Sequence, residues 1–248
     1  MNILLCGICG HMGREILEIT NDPSSGVTVA AGVDTTPSFG MEVPVFRTFD
    51  EVAGEFDCIV DFSHHAATEA LTAFAVKNKT PLVIATTGQT DEERAMIEAS
   101  SKEVPVFFAA NFSIGVALLC ALAKKAASVM EGAEIEIVEV HHDRKLDAPS
   151  GTAKALADAI REARPESRTV CGRSGHAKRE ADEIGISSVR IGNVVGIHEV
   201  LVGTPNETVT LKHEAHSRAL FASGAVAAAK FIVGKEPGLY TMNDMISI

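Results

Sequence analysis

The densest run of reactive side chains in this sequence is His141-His142-Asp143-Arg144-Lys145-Leu146-Asp147-Ala148-Pro149-Ser150-Gly151-Thr152. Imidazole exchanges a proton near neutral pH, so His141 or His142 qualifies as a general acid or base. Lys145 adds a full positive charge. A helix expected to begin near Thr152 would offer free amides at Ser150, Gly151 and Thr152, and helix N-termini attract anions. Two cationic or donor centres on one loop suit a dicarboxylate. Taken alone, the same residues also fit a solvated loop, or a helix start with Ser150 as N-cap. Metal binding is disfavoured: adjacent histidines at a strand end point apart, and the string has no H-x-x-x-H spacing.

A second candidate lies at the N-terminus, in Gly7-Ile8-Cys9-Gly10-His11-Met12-Gly13. Glycines allow a tight strand-to-helix turn and let the backbone approach a pyrophosphate, whose charge the helix N-terminus stabilises. The spacing is G-x-x-G-x-x-G, with Cys9 where the stricter dinucleotide fingerprint has its second glycine. Asp34 stands 21 residues beyond Gly13, at the end of the next strand-like run, where such folds bind the adenosine ribose hydroxyls. The other reading is a plain tight turn. Cys6 and Cys9 form a C-x-x-C. Cys6 reads as the last residue of a buried strand and no second ligand pair follows, which argues against redox or zinc chemistry.

The elements that must position these residues follow from periodicity. Strand-like apolar runs at 3–6, 27–33, 58–60, 81–85 and 104–109 alternate with helical patterns at 12–20, 66–77 and 91–100. That alternation predicts an α/β arrangement, a parallel sheet with helices on both faces. After Asn111 the pattern changes. A long Ala/Leu-rich helix at 115–130 precedes an alternating strand at 134–141, a helix at 152–164 and strands at 186–191, 198–202 and 208–213. One helix at 220–232 closes the series. The alternation predicts an antiparallel or mixed sheet with one side covered and the other more open. The charge divides at the same place: residues 113–217 hold 13 Lys/Arg and 15 Asp/Glu, a balance of −2, whereas the remainder carries −9. The middle segment is the better host for an anionic substrate.

Composition narrows the classes. The chain has 248 residues, long enough for one large or two modest domains with a sizeable core. Its 5% aromatics, with no Trp, require an aliphatic core. A formal charge of −11 speaks against a nucleic-acid or anionic-membrane surface. No apolar stretch approaches the roughly 18 residues of a membrane span, and Met1–Ile8 has no basic n-region. Five cysteines at irregular spacing suit a reduced cytoplasm.

The ordered set of motifs resembles the dihydrodipicolinate reductase (4-hydroxy-tetrahydrodipicolinate reductase) family along nearly the whole chain. It comprises the glycine loop with Met12-Gly13-Arg14, then Val60-Asp61-Phe62-Ser63, Thr86-Thr87-Gly88 and Asn111-Phe112-Ser113-Ile114-Gly115. After the specific H-H-x-x-K-x-D-A-P-S-G-T-A string come Arg190-Ile191-Gly192-Asn193-Val194-Val195-Gly196-Ile197-His198 and His216-Ser217-Arg218. The resemblance implies a discontinuous, Rossmann-like α/β cofactor domain, 1–112 with 218–248, and a smaller α+β substrate-binding and tetramerisation domain with a mixed sheet, 113–217. It implies NAD(P)H-dependent reduction of 4-hydroxy-tetrahydrodipicolinate with loss of water, in diaminopimelate and lysine biosynthesis. His141 and Lys145 match the family's proton-transferring residues. His142, Ser150, Gly151 and Thr152 fall in its substrate-binding stretch. Gly7, Ile8, Cys9, Gly10, His11, Met12, Gly13, Asp34, Ala85, Thr86, Thr87, Ala109, Ala110, Asn111 and Phe112 fall in its cofactor-binding stretches. Many members place Arg after the acid of the second strand; here Thr35 follows Asp34, so NADH is expected over NADPH. A different oxidoreductase of the superfamily would not need the 141–152 string, and a dinucleotide-sensing module would dispense with His141 and Lys145.

Overall fold

The computed structural model describes residues 1–37 and 41–246; residues 247–248 of the expected 218–248 return lie outside it. The chain divides into two compact units. One holds Met1–Phe112 and the return from Ala219 onward; the other is Ser113–Arg218.

The first unit is built on a seven-stranded parallel sheet. Its strands are β1 (Asn2–Cys6), β2 (Thr28–Val33), β3 (Val45–Phe46), β4 (Cys58–Asp61), β5 (Leu82–Ile84), β6 (Pro105–Phe108) and, from the C-terminal return, β12 (Gly238–Tyr240). Their order is β12-β6-β5-β4-β1-β2-β3. Strand order reverses at β1, between β4 and β2, so a crevice for a ligand opens at the carboxyl ends of these strands. Helices α1 (His11–Thr20), α2 (Thr68–Asn78) and α3 (Asp91–Ser100) connect the early strands. The strands are near-continuous apolar runs because both sheet faces are covered: Leu4, Ile59, Leu82 and Val106 are all fully buried.

In the second unit α4 (Ile114–Val129) precedes β7 (Glu134–His141), and α5 (Gly151–Ala163) precedes β8 (Arg168–Cys171), β9 (Glu183–Arg190), β10 (Gly196–Gly203) and β11 (Thr208–Ala215). The sheet order is β11-β10-β7-β9-β8. β9 runs parallel to β7 and β8, while β10 runs antiparallel to β7 and β11, making the sheet mixed. One face packs under α4 and α5: Ile135, Ile137, Ile184, Ile186, Val200 and Val202 meet Leu119, Ala123, Leu156 and Ile160. Burying each larger aliphatic side chain there contributes about 1.5–3 kcal/mol.

Several elements differ from the sequence expectation. β3, β8 and β12 are short strands that periodicity does not register. β9 begins at Glu183 rather than residue 186: Gly185 interrupts the apolar run, and Glu183 at the strand start is paired with Arg168 and Arg173. The series does not close with a single helix: after α6 (Ala219–Ile232) the chain adds β12 and a short α7 (Met242–Ile246). Apolar α6 packs on α1 and on β4, β5 and β6 of the first unit, which accounts for its nearly all-round burial.

Candidate functional site

Register explains how the second unit makes a reactive patch. On the helix-covered face the cross-strand rungs begin as aliphatic: Ile135 opposes Ile184 and Val202, and Ile137 opposes Ile186 and Val200. One rung further the chemistry turns polar. Glu139 opposes Ser188 on one side and His198 on the other, and His198 in turn opposes His213. At the last rung of β7, His141 opposes Arg190. The polar groups therefore continue a buried stripe to the end of the strand where the 142–150 loop departs.

Glu139 is fully buried and is the hub. Its Oε2 is 2.5 Å from His141 Nδ1. Arg190 grips it with both terminal nitrogens, Nη1 to Oε2 at 2.9 Å and Nη2 to Oε1 at 2.8 Å. The Ser150 amide donates to Oε1 at 3.2 Å. Burial alone would push this carboxyl up. The bonds from Arg190, Ser188, His141 and the Ser150 amide outweigh it and bring the group down to about 2. Glu139 is thus a permanent buried anion.

That hub ties the predicted residues together. Arg190 Nη2 also donates to the Asp147 carbonyl at 2.7 Å, and the Asp147 carboxylate lies 2.8 Å from Lys145 Nζ. The lysine bond holds the Asp147 carboxyl below its usual range. Lys145 and His141 are therefore fixed to one framework through Asp147, Arg190 and Glu139. Burial pulls the His141 pKa down and outweighs the opposing pull of Glu139, while Lys145 and Arg190 add to the lowering. His142 lies beside the hub rather than in it: its amide donates to the Val194 carbonyl, and its buried Nδ1 has no partner among the described residues.

Ser150 corrects one expectation. Its amide is not free, being bound to Glu139, and its hydroxyl caps α5 by accepting from the Ala153 amide at 3.2 Å. The same hydroxyl is 3.0 Å from His198 Nε2. Gly151 remains exposed at the helix start, and a Cβ there would meet nothing within 4 Å.

His198 packs edge-on against His141, with ring centroids 5.1 Å apart, and its Nδ1 is buried without a partner among the described residues. Burial, with a smaller contribution from the adjacent His141, lowers its pKa from 6.5 to about 4. An unfolded chain would take up that proton first as pH falls. The contribution to stability is therefore complete above about pH 6.5 and lost progressively toward about pH 4. Urea unfolding should show the wild type losing about 2 kcal/mol more than His198→Gln between about pH 7.5 and about pH 5. Equal losses would show that His198 is not the buried neutral group.

In the first unit the glycine loop follows β1 and meets its neighbours closely. Gly7 has φ +75°, and a Cβ there would sit 2.5 Å from the Phe62 carbonyl oxygen. At Gly13 a Cβ would sit 2.4 Å from the Gly7 carbonyl oxygen. Gly10 is the N-cap of α1 and supplies no side-chain cap, leaving the helix amides to an incoming group. The Cys9 amide donates to Asp34 Oδ2 at 3.0 Å, while Oδ1 accepts from the Thr36 amide and hydroxyl. A carboxylate has about four acceptor positions, so one remains for a ribose hydroxyl. Gly7, Gly10, Asp34, Arg47, Ser63 and Lys77 line one cavity of about 980 Å³. An uncapped helix start, close-packed glycines and an acid on one cavity fit a dinucleotide.

The remaining stretches expected to meet a cofactor are placed as follows. Ile8 is fully buried against Gly32, and Phe112 is buried among Phe62 and Phe107. The Ala85 amide donates to the Asp61 carbonyl, and the Thr86 hydroxyl to the Asp61 carboxylate at 2.5 Å. Thr87 and Ala110 are exposed, Ala109 and Asn111 half-buried. His11 and Met12 open α1, with His11 Nδ1 3.9 Å from Glu15. Cys6 ends β1 fully buried, and burial holds its thiol well above the ordinary value, which removes the basis for a redox pair with Cys9.

Sequence reasoning did not single out Glu139. Its signal was present: it falls in the phase of Ile135 and Ile137, an acid on the covered face two residues before a histidine. Arg190 and His198 entered only as parts of a resemblance.

Comparison with known proteins agrees across both units. Residues 1–112 match the family described as dihydrodipicolinate reductase, N-terminus, and residues 115–246 match dihydrodipicolinate reductase, C-terminus. The chain is 45% identical over 248 residues to 4-hydroxy-tetrahydrodipicolinate reductase of Caldanaerobacter subterraneus subsp. tengcongensis, covering 99% of this chain and 98% of that protein. It is 43% identical over 256 residues to the protein of that name in Akkermansia muciniphila, covering 100% and 98%. Among solved structures, dipicolinate-bound dihydrodipicolinate reductase from Paenisporosarcina sp. TG-14 superposes with a TM-score of 0.82 at 27% identity, covering 99% of both chains. Aspartate dehydrogenase from Thermotoga maritima, at 14% identity and a TM-score of 0.54 over 95% and 98% of the two chains, shares the fold alone.

Proposed function

The chain belongs to the dihydrodipicolinate reductase family, and from that premise we propose that it reduces 4-hydroxy-2,3,4,5-tetrahydrodipicolinate to 2,3,4,5-tetrahydrodipicolinate, with loss of water, in diaminopimelate and lysine biosynthesis. The observation that carries this reading is the single framework joining His141 and Lys145 through Glu139, Arg190 and Asp147. The dipicolinate-bound relative supports a small dicarboxylate as ligand. His142, the exposed Gly151 and Thr152 at the start of α5 are the groups we assign to its carboxylates, together with the positive end of the helix.

A bound nicotinamide dinucleotide supplies a hydride. The chain's own residues do the rest. Hydride arrival at a conjugated imine leaves negative charge toward the ring nitrogen, and a fixed cation or acid nearby lowers that barrier. Lys145, held by Asp147, is such a cation. His141, with Nδ1 turned to Glu139, has Nε2 left for proton exchange. The stretches 7–13, 85–87 and 109–112 and Asp34 are assigned to the dinucleotide.

We further assign a preference for NADH over NADPH. Asp34 has an acceptor position for a ribose hydroxyl but repels a 2′-phosphate: like charges about 4 Å apart cost roughly 1 kcal/mol in water and about 4 kcal/mol at an effective dielectric of 20. Thr35 and Thr36 supply no compensating charge. Arg47 and Lys77, on the same cavity, keep NADPH usable. We expect kcat/KM to favour NADH by about tenfold, equivalent to about 1.4 kcal/mol. Measuring both cofactors at one pH decides it, and equal values or an NADPH preference would contradict control by Asp34. Thr35→Arg should shift the ratio toward NADPH.

The sheet face of the second unit away from α4 and α5 carries Val138, Val140, Val189, Ile197 and Leu201, and Val189 is 41% exposed. We assign homotetramer assembly to that face, with sedimentation of the full chain as its test; a monomeric mass would refute it. No described helix is long and apolar enough to cross a membrane. The five free cysteines fit a cytoplasmic protein.

A further inference from the structure

We propose that Glu139, clamped by Arg190, is a positioning residue that fixes the tautomer of His141, so that Nδ1 carries the proton and Nε2 alone faces the reaction. This rests on the role given to His141 above. Glu139 is fully buried and permanently placed: it receives two bonds from Arg190 and one from the Ser150 amide, and it lies 2.5 Å from His141 Nδ1. An ionised carboxylate can only accept, so a neutral imidazole against it must donate from Nδ1. Nε2 is then a lone pair, ready to take or return a proton.

The other side of the ring is kept clear. A Cβ at residue 196 would lie 3.1 Å from His141 Nε2, and glycine leaves that space empty. The neighbouring His198 has its Nε2 engaged by the Ser150 hydroxyl. That hydroxyl also accepts from the Ala153 amide, and the buried His198 ring is held below its ordinary pKa by its burial. His198 therefore stays neutral, and an imidazolium at His141 meets no second one. The charged groups facing His141 are Glu139, Arg190 and Lys145, with His198 the adjoining titratable ring. Glu139 alone among them favours the protonated ring; Arg190 and Lys145 oppose it. Arg190 thus has two effects of opposite sign, holding the carboxylate in place while adding a weaker direct repulsion.

The decisive measurement is the ¹⁵N chemical shift of His141 in the intact wild-type protein, assigned by its loss in His141→Gln. At a pH above its titration we expect Nδ1 to be protonated and Nε2 to carry the lone pair. A proton on Nε2 would overturn the proposal without reference to any activity. Glu139→Gln gives the second arm. A glutamine keeps an oxygen for Arg190 but turns an amide donor toward Nδ1, forcing the opposite tautomer. We expect kcat to fall about 100-fold with less change in KM. The limb of the pH profile set by His141 should move down by about one unit or more, because the carboxylate that favours the imidazolium is gone. Thermal unfolding of the full-length variant reports that the second unit is folded, and NADH binding, which belongs to the other unit, should be unchanged. A wild-type pH profile and turnover in Glu139→Gln, with His141→Ala inactive, would overturn the positioning role and leave the proposed function standing. Failure of the wild type to reduce the substrate would remove the function, and the tautomer measurement would still decide what Glu139 does.

Discussion

Replacing His141 or Lys145 by alanine should lower kcat by about 10²–10⁴-fold each, the range for loss of a positioned acid, base or cation. The two sit on one framework, His141 through Glu139 and Lys145 through Asp147, with Arg190 bonded to both arms. Residues that act as a unit are not additive, so the double variant should cost less than the product of the single losses. kcat and kcat/KM should fall together, because the lost interactions are made in the transition state. The fold should survive. Lys145 is partly exposed, and in His141→Ala the Glu139 carboxylate keeps both bonds from Arg190. Thermal unfolding monitored beside steady-state kinetics separates the two effects. Near wild-type kcat in either folded variant would remove that residue from the chemistry.

The second large effect is expected in the glycine loop. In Gly13→Ala the new methyl would lie 2.4 Å from the Gly7 carbonyl oxygen and 2.5 Å from that of Ile8. Both are backbone atoms and neither can rotate away, so the loop must shift against α1. Overpacking of this kind costs about 1–3 kcal/mol of stability. The same shift displaces the amides assigned to the pyrophosphate, and we expect the Kd for NADH to rise at least about tenfold. Fluorescence titration and urea unfolding of the variant read both quantities. Unchanged NADH affinity would mean that the loop backbone does not hold the dinucleotide. Gly10→Ala is the milder comparison, since its Cβ would stand 3.1 Å from the Gly7 oxygen, a contact that a few tenths of an ångström relieve.

Much of this architecture was legible because it is written in local period. Near-continuous apolar runs such as Ile3–Cys6 gave the parallel strands of the first unit, and the alternation over 134–141 gave the two-sided β7. The shift near Asn111 follows from the same change of period. The misses have physical causes. β3 and β12 span two and three residues, too short for any period to show. β8 is a mostly exposed edge strand without an apolar face. At the site, His141 and Lys145 stand out because their side chains are chemically unusual in a loop. Glu139 hides because an acid in a strand ordinarily reads as solvent-facing; only its phase with Ile135 and Ile137 betrays burial. Its partners come from β9 and from the start of α5, 51 and 11 residues away, a pairing that exists only once the sheet has formed. The same non-local contact explains the Ser150 amide, which local reasoning left available to an anion.

The most direct test of the central claim is isotope transfer. The full chain is incubated with NADH deuterated at the transferable C4 position and with freshly formed 4-hydroxy-tetrahydrodipicolinate, and the product is read by mass spectrometry and NMR. The structure and the family predict tetrahydrodipicolinate carrying one deuterium and lacking the hydroxyl, formed by the wild type and strongly suppressed in His141→Ala. A product that keeps its hydroxyl, or a substrate returned without deuterium while NADH is consumed on another carboxylate, would contradict the account.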